Sequence, residues 1–338
     1  MNPAQLHGAL DAVCGLAVCA VLVDLIRRSR SLGAFLAIAA IASLAAIALY
    51  QGRIERAEQI FLLKYFLASQ TSLLWMGLLY GLAMPAAWLG LRSPDAARAA
   101  RALAWVATGA GLNSLVVRAY EASLILPGNA QLPLASQSEV LALLCILSAL
   151  SALLVARRAA GEALLALSLS AVSGVAFWLI GAALSGEAAI EPLAPALHSP
   201  WLKLHVPTCL IGYGAFTLAA MTGLAALLAR RGLLARAAAA ELDALCQRAI
   251  ATGFAFFTLS IVFGALWANE AWGSYWQWDP KESWALIVWL NYAAWLHQSL
   301  GRRANHTLLA GWAVLGLAVT AFAFVGVNLL LPGLHSYA

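Results

Sequence analysis

Trp201-Leu-Lys-Leu-His-Val-Pro-Thr-Cys-Leu-Ile-Gly-Tyr-Gly-Ala-Phe-Thr-Leu-Ala-Ala-Met-Thr-Gly-Leu-Ala-Ala-Leu-Leu-Ala229 carries a single formal charge, Lys203, and stops at the pair Arg230-Arg231. Crossing a bilayer as a helix takes about 20 mainly apolar residues. The segment therefore predicts a transmembrane helix with a basic edge. Outward from it, further apolar runs fall at roughly 8–26, 32–50, 66–91, 102–118, 138–156, 162–184, 248–267, 281–300 and 307–331. The third begins less sharply, since apolar residues start near Ile60, and a short interfacial helix is an alternative start. The fold class that follows is an all-α polytopic membrane protein of about ten transmembrane helices.

Composition agrees. Of 338 residues 63% are hydrophobic and 10% charged, where soluble domains run near half and a quarter. The formal net charge of +5 does not point to nucleic acid, because the basic residues sit in short clusters between apolar runs. Alternate loops hold Arg27, Arg28 and Arg30; Arg92, Arg98 and Arg101; Arg157 and Arg158; Arg230, Arg231, Arg236 and Arg248; Arg302 and Arg303. These are 14 of the 20 basic residues, so these loops are expected in the cytoplasm and both termini outside. The first run lacks a preceding basic segment, which argues against a cleaved signal peptide. The five cysteines, Cys14, Cys19, Cys145, Cys209 and Cys246, form no Cys-x-x-Cys pair and read as small buried hydrophobes. The outer loops near 119–137, 185–200 and 268–280 are the places for chemistry.

One stretch stands apart: Trp267-Ala-Asn-Glu-Ala-Trp-Gly-Ser-Tyr-Trp-Gln-Trp-Asp-Pro-Lys-Glu-Ser-Trp-Ala-Leu-Ile-Val-Trp289, with six of the 13 tryptophans. An interfacial aromatic belt accounts for one or two tryptophans per helix end. It does not account for Trp272, Tyr275, Trp276 and Trp278 gathered around Gly273. Such a cluster makes an apolar shelf with polar edges, suited to a large planar ligand such as a porphyrin. Asp279, Pro280 and Glu282 read as N-cap, first helical residue and capping-box acid of the ninth span. Lys281 either snorkels at the membrane edge or reaches a haem propionate.

Of six histidines, His7 and His306 sit in terminal or loop positions with nothing around them. His205 lies at the outer mouth of the seventh span, just after Ser199-Pro200. His335 lies beyond Pro332-Gly333, where the last span ends. Two imidazoles flanking the shelf suit bis-histidine ligation of haem. His198 is a spare outer histidine. His297 follows Pro280 by 17 residues, about 26 Å along a helix. There it is either a functional intramembrane group or a side chain snorkelling near Arg302.

Trp272-Gly-Ser-Tyr-Trp-Gln-Trp-Asp-Pro-Lys-Glu-Ser-Trp284-Ala-Leu-Ile-Val-Trp resembles the WWD signature of haem-handling proteins. With Trp201-Leu-Lys-Leu-His205-Val, Tyr292-Ala-Ala-Trp-Leu-His297 and Gly326-Val-Asn…Gly333-Leu-His335-Ser-Tyr, the combination is similar to the CcsA/ResC family of system II cytochrome c biogenesis. It covers about the last 140 residues. The resemblance implies an N-terminal two-span segment over 1–65 and a WWD-type assembly domain over 66–338. It implies haem b held non-covalently in transit, with His205 and His335 as outer ligands. His297 would belong to a site within the membrane whose second ligand comes from a ResB/CcsB-type partner. The expected cofactor-binding residues are Trp272, Tyr275, Trp276, Trp278, Asp279, Lys281 and Trp284; no catalytic residue is named. The implied setting is a bacterial inner membrane, with the haem site on the periplasmic side and apocytochrome c as acceptor. The chain has no Cys-x-x-Cys-His acceptor of its own. Where the family often carries Tyr-Glu-Ser, this chain has Gln137-Ser138-Glu139, so a role for Arg118 or Glu139 has little support. The competing readings are a synthase subunit, a CcmC-like module that only exports and delivers haem, and a bis-haem electron-transfer protein.

Overall fold

A computed structural model of the chain describes residues 30–126, 136–156, 161–186, 189–192, 197–234, 238–301, 304–331 and 333. The expected span 8–26, Cys14, Cys19, His7 and His335 lie outside the described residues. Among those described there are helices and turns and no strand. In hydrocarbon every backbone group must be satisfied within the segment, and a helix does this. The order is α1 (Arg30–Tyr50), α2 (Arg56–Gln59), a π turn (Leu63–Leu67), α3 (Ser69–Gly90), α4 (Pro94–Ile125), α5 (Gln137–Val155), α6 (Gly161–Ser185), α7 (Leu202–Arg230), α8 (Ala239–Trp272), α9 (Pro280–Ser299), α10 (His306–Ala321), a π segment (Phe322–Gly326) and α11 (Val327–Leu330).

Eight helices among the described residues are long and apolar enough to cross a membrane, counting α10 to α11 as one continuous helix. The helix α9, expected as a span, has 20 residues, about 30 Å. Its polar Lys281, Glu282, Asn291 and His297 keep it outside those eight. A short helical segment precedes the third span, which is the alternative start named above. The short α2 and the π turn precede a break at Ala68, which is extended with ψ 153°, and α3 begins at Ser69. Large apolar side chains face outward all around the molecule, among them Ile38, Leu184, Leu315 and Leu329. A surface of that kind belongs in lipid.

Two packed groups make the body. Buried residues of α3, α4, α5 and α6 form one core, and those of α7, α8, α9 and α10 a second. A third cluster joins α6 to α7, α8 and α10. The central element is α7, with 67% of its apolar window buried, against 17% for α1. It crosses α8 closely at Gly212 and Gly253: a Cβ on either would stand 3.3 or 3.1 Å from the other's carbonyl oxygen. Small residues at such crossings let helices meet where lipid offers no hydrophobic drive.

Several helices outrun their apolar runs. In α4, Ser93 caps and Pro94 occupies the first turn. Arg98 pairs with Asp95 and Arg101 with Glu162, so charges do not end the helix. The 34 residues of α8 span about 51 Å, and it ends where Gly273 turns left-handed at φ 76°. Trp267 and Trp272 are thus helical, and the outer loop expected over 268–280 shrinks to Gly273–Asp279.

Candidate functional site

At one end of the second group lies a cavity of about 280 Å³ between α5, α7, α8, α9 and the π segment, close to the lower bound for small-molecule sites. From α7 it takes His205, Cys209 and Tyr213, whose four-residue spacing sets them on one helix face. From α8 it takes Ser260, Gly264 and Trp267; Tyr275 and Trp276 of the loop, Lys281 of α9 and Phe324 of the π segment complete it. Ser136, Gln137 and Val140 of α5 form the far wall.

His205 is fixed by its neighbours. Its Nδ1 lies 2.8 Å from the Ser260 carbonyl oxygen and 3.2 Å from Ser260 Oγ. A carbonyl only accepts, so Nδ1 carries the proton and Nε2, across the ring, keeps the lone pair. The imidazole stacks on Trp267, with ring centroids 6.1 Å apart, and Trp267 is 4% exposed. Ser199, ahead of α7, donates to Glu270 at 2.5 Å and accepts from the Trp201 amide at 3.2 Å. This ties the start of α7 to the end of α8. His198 is exposed and does not line the cavity.

The loop is pinned to α9. Asp279 caps the helix, accepting from the Lys281 amide at 2.8 Å. The Glu282 carboxylate reaches back to the amides of Gln277 at 2.7 Å and Asp279 at 3.2 Å. The capping box read from Asp279, Pro280 and Glu282 is present. Held between those two amides, Trp278 takes φ 58°, a left-handed conformation that is rare for a bulky side chain. Strain of this kind gathers at functional sites.

Of the expected shelf, Tyr275 and Trp276 line the cavity. Trp272 packs on Trp267 at 5.0 Å between centroids, one layer back. Trp278 is 70% exposed and stands edge-on to Trp276. Trp284 packs on Phe322 at 4.4 Å, and Asp279 is buried as a cap; neither lines the cavity. Lys281 donates to the Phe324 carbonyl at 3.0 Å and to Asn328, which sets its ammonium at the wall. Gly333, the last described residue, runs against α9: a Cβ there would collide with the Asp279 carboxylate and lie 3.1 Å from Pro280 Cδ. His297 is on the last turn of α9, exposed, and away from the cavity.

Trp267, Ser260, Gly264 and the α5 wall were missed from the sequence. The spacing 260, 264, 267 on one face of α8 is a helical signal that finds the first three; nothing local finds the α5 residues. One reading needs correction. His306 does have a neighbour: its Nδ1 is 3.5 Å from the Asp243 carboxylate, which also takes Arg230. Arg118 and Glu139 form a buried ion pair, which opposite charges within spans should have suggested. Cys145, Cys209 and Cys246 are free, and Cys145 and Cys246 are buried, as read.

An imidazole lone pair, aromatic and aliphatic walls and one ammonium group fit a flat apolar ring that carries a metal and carboxylates. Fold and cavity define a polytopic membrane protein with a largely apolar cavity, lined by one imidazole, at one end of its bundle. Residues 134–335, more than half of the chain, match the family described as Cytochrome C assembly protein, and the chain belongs to that family. It is 43% identical over 176 residues to cytochrome c biogenesis protein CcsA of Parasynechococcus marenigrum, covering 43% of this chain and 58% of that one. To CcsA of Chlamydomonas reinhardtii it is 42% identical over 152 residues, covering 44% and 43%. The matches thus span less than two thirds of these relatives' own length. Among solved structures, the cytochrome c haem lyase CcmF superposes with a TM-score of 0.61 at 21% identity, covering 76% of this chain and 46% of that chain. This is a likeness of fold.

Proposed function

We propose that the chain is the haem-handling subunit of a cytochrome c synthase: it takes haem b within the membrane, holds it at the outer face and presents it to apocytochrome c. The observation that carries this is His205, its tautomer set by an α8 carbonyl, facing an apolar cavity in a member of the cytochrome c assembly family. His205 supplies one axial nitrogen. His335 supplies the other; it follows Gly333 by two residues, a reach of about 7 Å, and Gly333 lies at the start of α9. Tyr275, Trp276 and Phe324 hold the ring by apolar contact, and Lys281 pairs with a propionate. Haem itself supplies the vinyl carbons to which acceptor thiols add; the protein supplies orientation and access. His297, exposed on α9, supplies one ligand of an inner site completed by a ResB/CcsB-type membrane subunit.

The test is co-expression with that partner and a reporter apocytochrome c in a bacterial inner membrane lacking its own synthase. Covalent haem on the reporter is expected. His205→Gly and His335→Gly lose bound haem and reporter yield, and added imidazole restores part of both; His198→Gly loses neither. Wild-type haem spectra and yield in both single variants would refute the ligand assignment. Bound haem without covalent product would leave a delivery module.

A further inference from the structure

His205 sits in a notch of α8 rather than on its surface. In a regular helix the Ser260 carbonyl accepts from the amide of residue 264, and a second lone pair remains. That lone pair is normally shielded by the side chain four residues on. Here residue 264 is glycine, and a Cβ on it would stand 2.8 Å from His205 Nδ1 and 2.9 Å from Cε1, closer than real Cβ atoms approach. The missing side chain is what lets the ring reach the carbonyl at 2.8 Å. Ser260 is 1% exposed, and its hydroxyl, 3.2 Å from Nδ1 and 3.4 Å from the His205 carbonyl, closes the notch from the other side.

We infer that Ser260 and Gly264 are positioning residues for the outer iron ligand: together they set the orientation and tautomer of His205. The inference rests on the haem reading above. An acceptor behind a ligating imidazole orients it and raises its basicity, and its loss costs about 10- to 100-fold in metal affinity.

The experiment uses the full chain purified with its partner. Gly264→Ala is compared with Gly174→Ala, where a Cβ meets nothing within 4 Å. Gly264→Ala is expected to bind haem about 10- to 100-fold more weakly, with an altered absorption spectrum, while Gly174→Ala matches wild type. The same change is then made in the His205→Gly protein without added imidazole, and the loss of thermal midpoint caused by Gly264→Ala is compared in the two backgrounds. With the ring gone, Gly264→Ala should cause no further loss. Ser260→Ala keeps the carbonyl and should show the smaller effect. Unchanged haem affinity and spectrum in Gly264→Ala overturn the inference. So does an equal loss, or equal failure to fold, in the His205→Gly background, which would assign the glycine to helix packing. Nitrogen shifts of His205 in haem-free protein give a readout independent of the function: Nδ1 protonated is expected, and Nε2 protonated overturns the notch. A wild-type protein that binds no haem while showing the Nδ1 tautomer would sink the functional reading alone.

Discussion

Removing one partner of the Arg118–Glu139 pair should be among the most damaging changes outside the cavity. The two side chains are 10% and 9% exposed. Arg118 also donates to the Ala189 carbonyl at 3.0 Å, and Glu139 accepts from the Ser136 amide at 3.1 Å as the capping box of α5. Arg118→Met leaves a carboxylate buried without its cation, a loss of about 3–5 kcal/mol. Glu139→Leu strands the guanidinium and also removes the carboxylate half of the capping box, while the Ser136 hydroxyl still caps the amide of residue 139. The double variant buries no charge, and replacing a buried pair by apolar residues of similar size is often near neutral, so mainly the carboxylate half of the capping box is lost. The exposed pair Arg98–Asp95, at 71% and 83%, is the control: Asp95→Asn should change stability by at most about 1 kcal/mol. The assay is the thermal midpoint of the purified protein in detergent, supported by protease resistance. Midpoints of both single variants matching Asp95→Asn would refute the reasoning. So would a double variant less stable than either single one.

Topology follows from the basic loops: in a cysteine-free background, Trp276→Cys should be labelled only from outside and Arg230→Cys only from the cytoplasm. Labelling of position 276 from the cytoplasm alone would invert the arrangement. His297→Ala should lower the haem reaching the outer site while changing stability by no more than about 0.5 kcal/mol, since the side chain is exposed. Normal haem content and reporter assembly in that variant would support snorkelling.

The spans were legible because hydrocarbon sets a length and basic residues mark its edges. The run at 201–229 maps almost residue for residue onto α7. The start of α9 was legible too, since Asp279, Pro280 and Glu282 state a cap in local chemistry. Helix ends beyond the apolar runs were not. In α4 the apolar run drew attention away from local start signals in Ser93, Pro94 and Asp95, and the pairing of Arg101 with Glu162, more than 60 residues away, lay out of reach. The shelf was legible in composition but not in direction: Trp278 and Trp284 share the motif with Trp276, and only packing against Phe322 or the clamp on Glu282 decides which ring meets the cavity. The contact of His306 with Asp243 is likewise tertiary, joining the starts of α10 and α8.

The C-terminal half does not close its own cavity. Ser136, Gln137 and Val140 line it from α5, and the first turn of α5 is held by Glu139, whose carboxylate at once caps that turn and pairs with Arg118 on α4. The first half of the chain thus supplies the far wall, and the Arg118–Glu139 pair ties the start of that wall to α4 beside the apolar core that α5 shares with α3, α4 and α6. A helix start held only by its cap frays within a turn; one anchored across to α4 does not. The Arg118–Glu139 pair therefore adds a directional tie at the cavity end of α5 to the apolar packing that its later turns make with α3, α4 and α6.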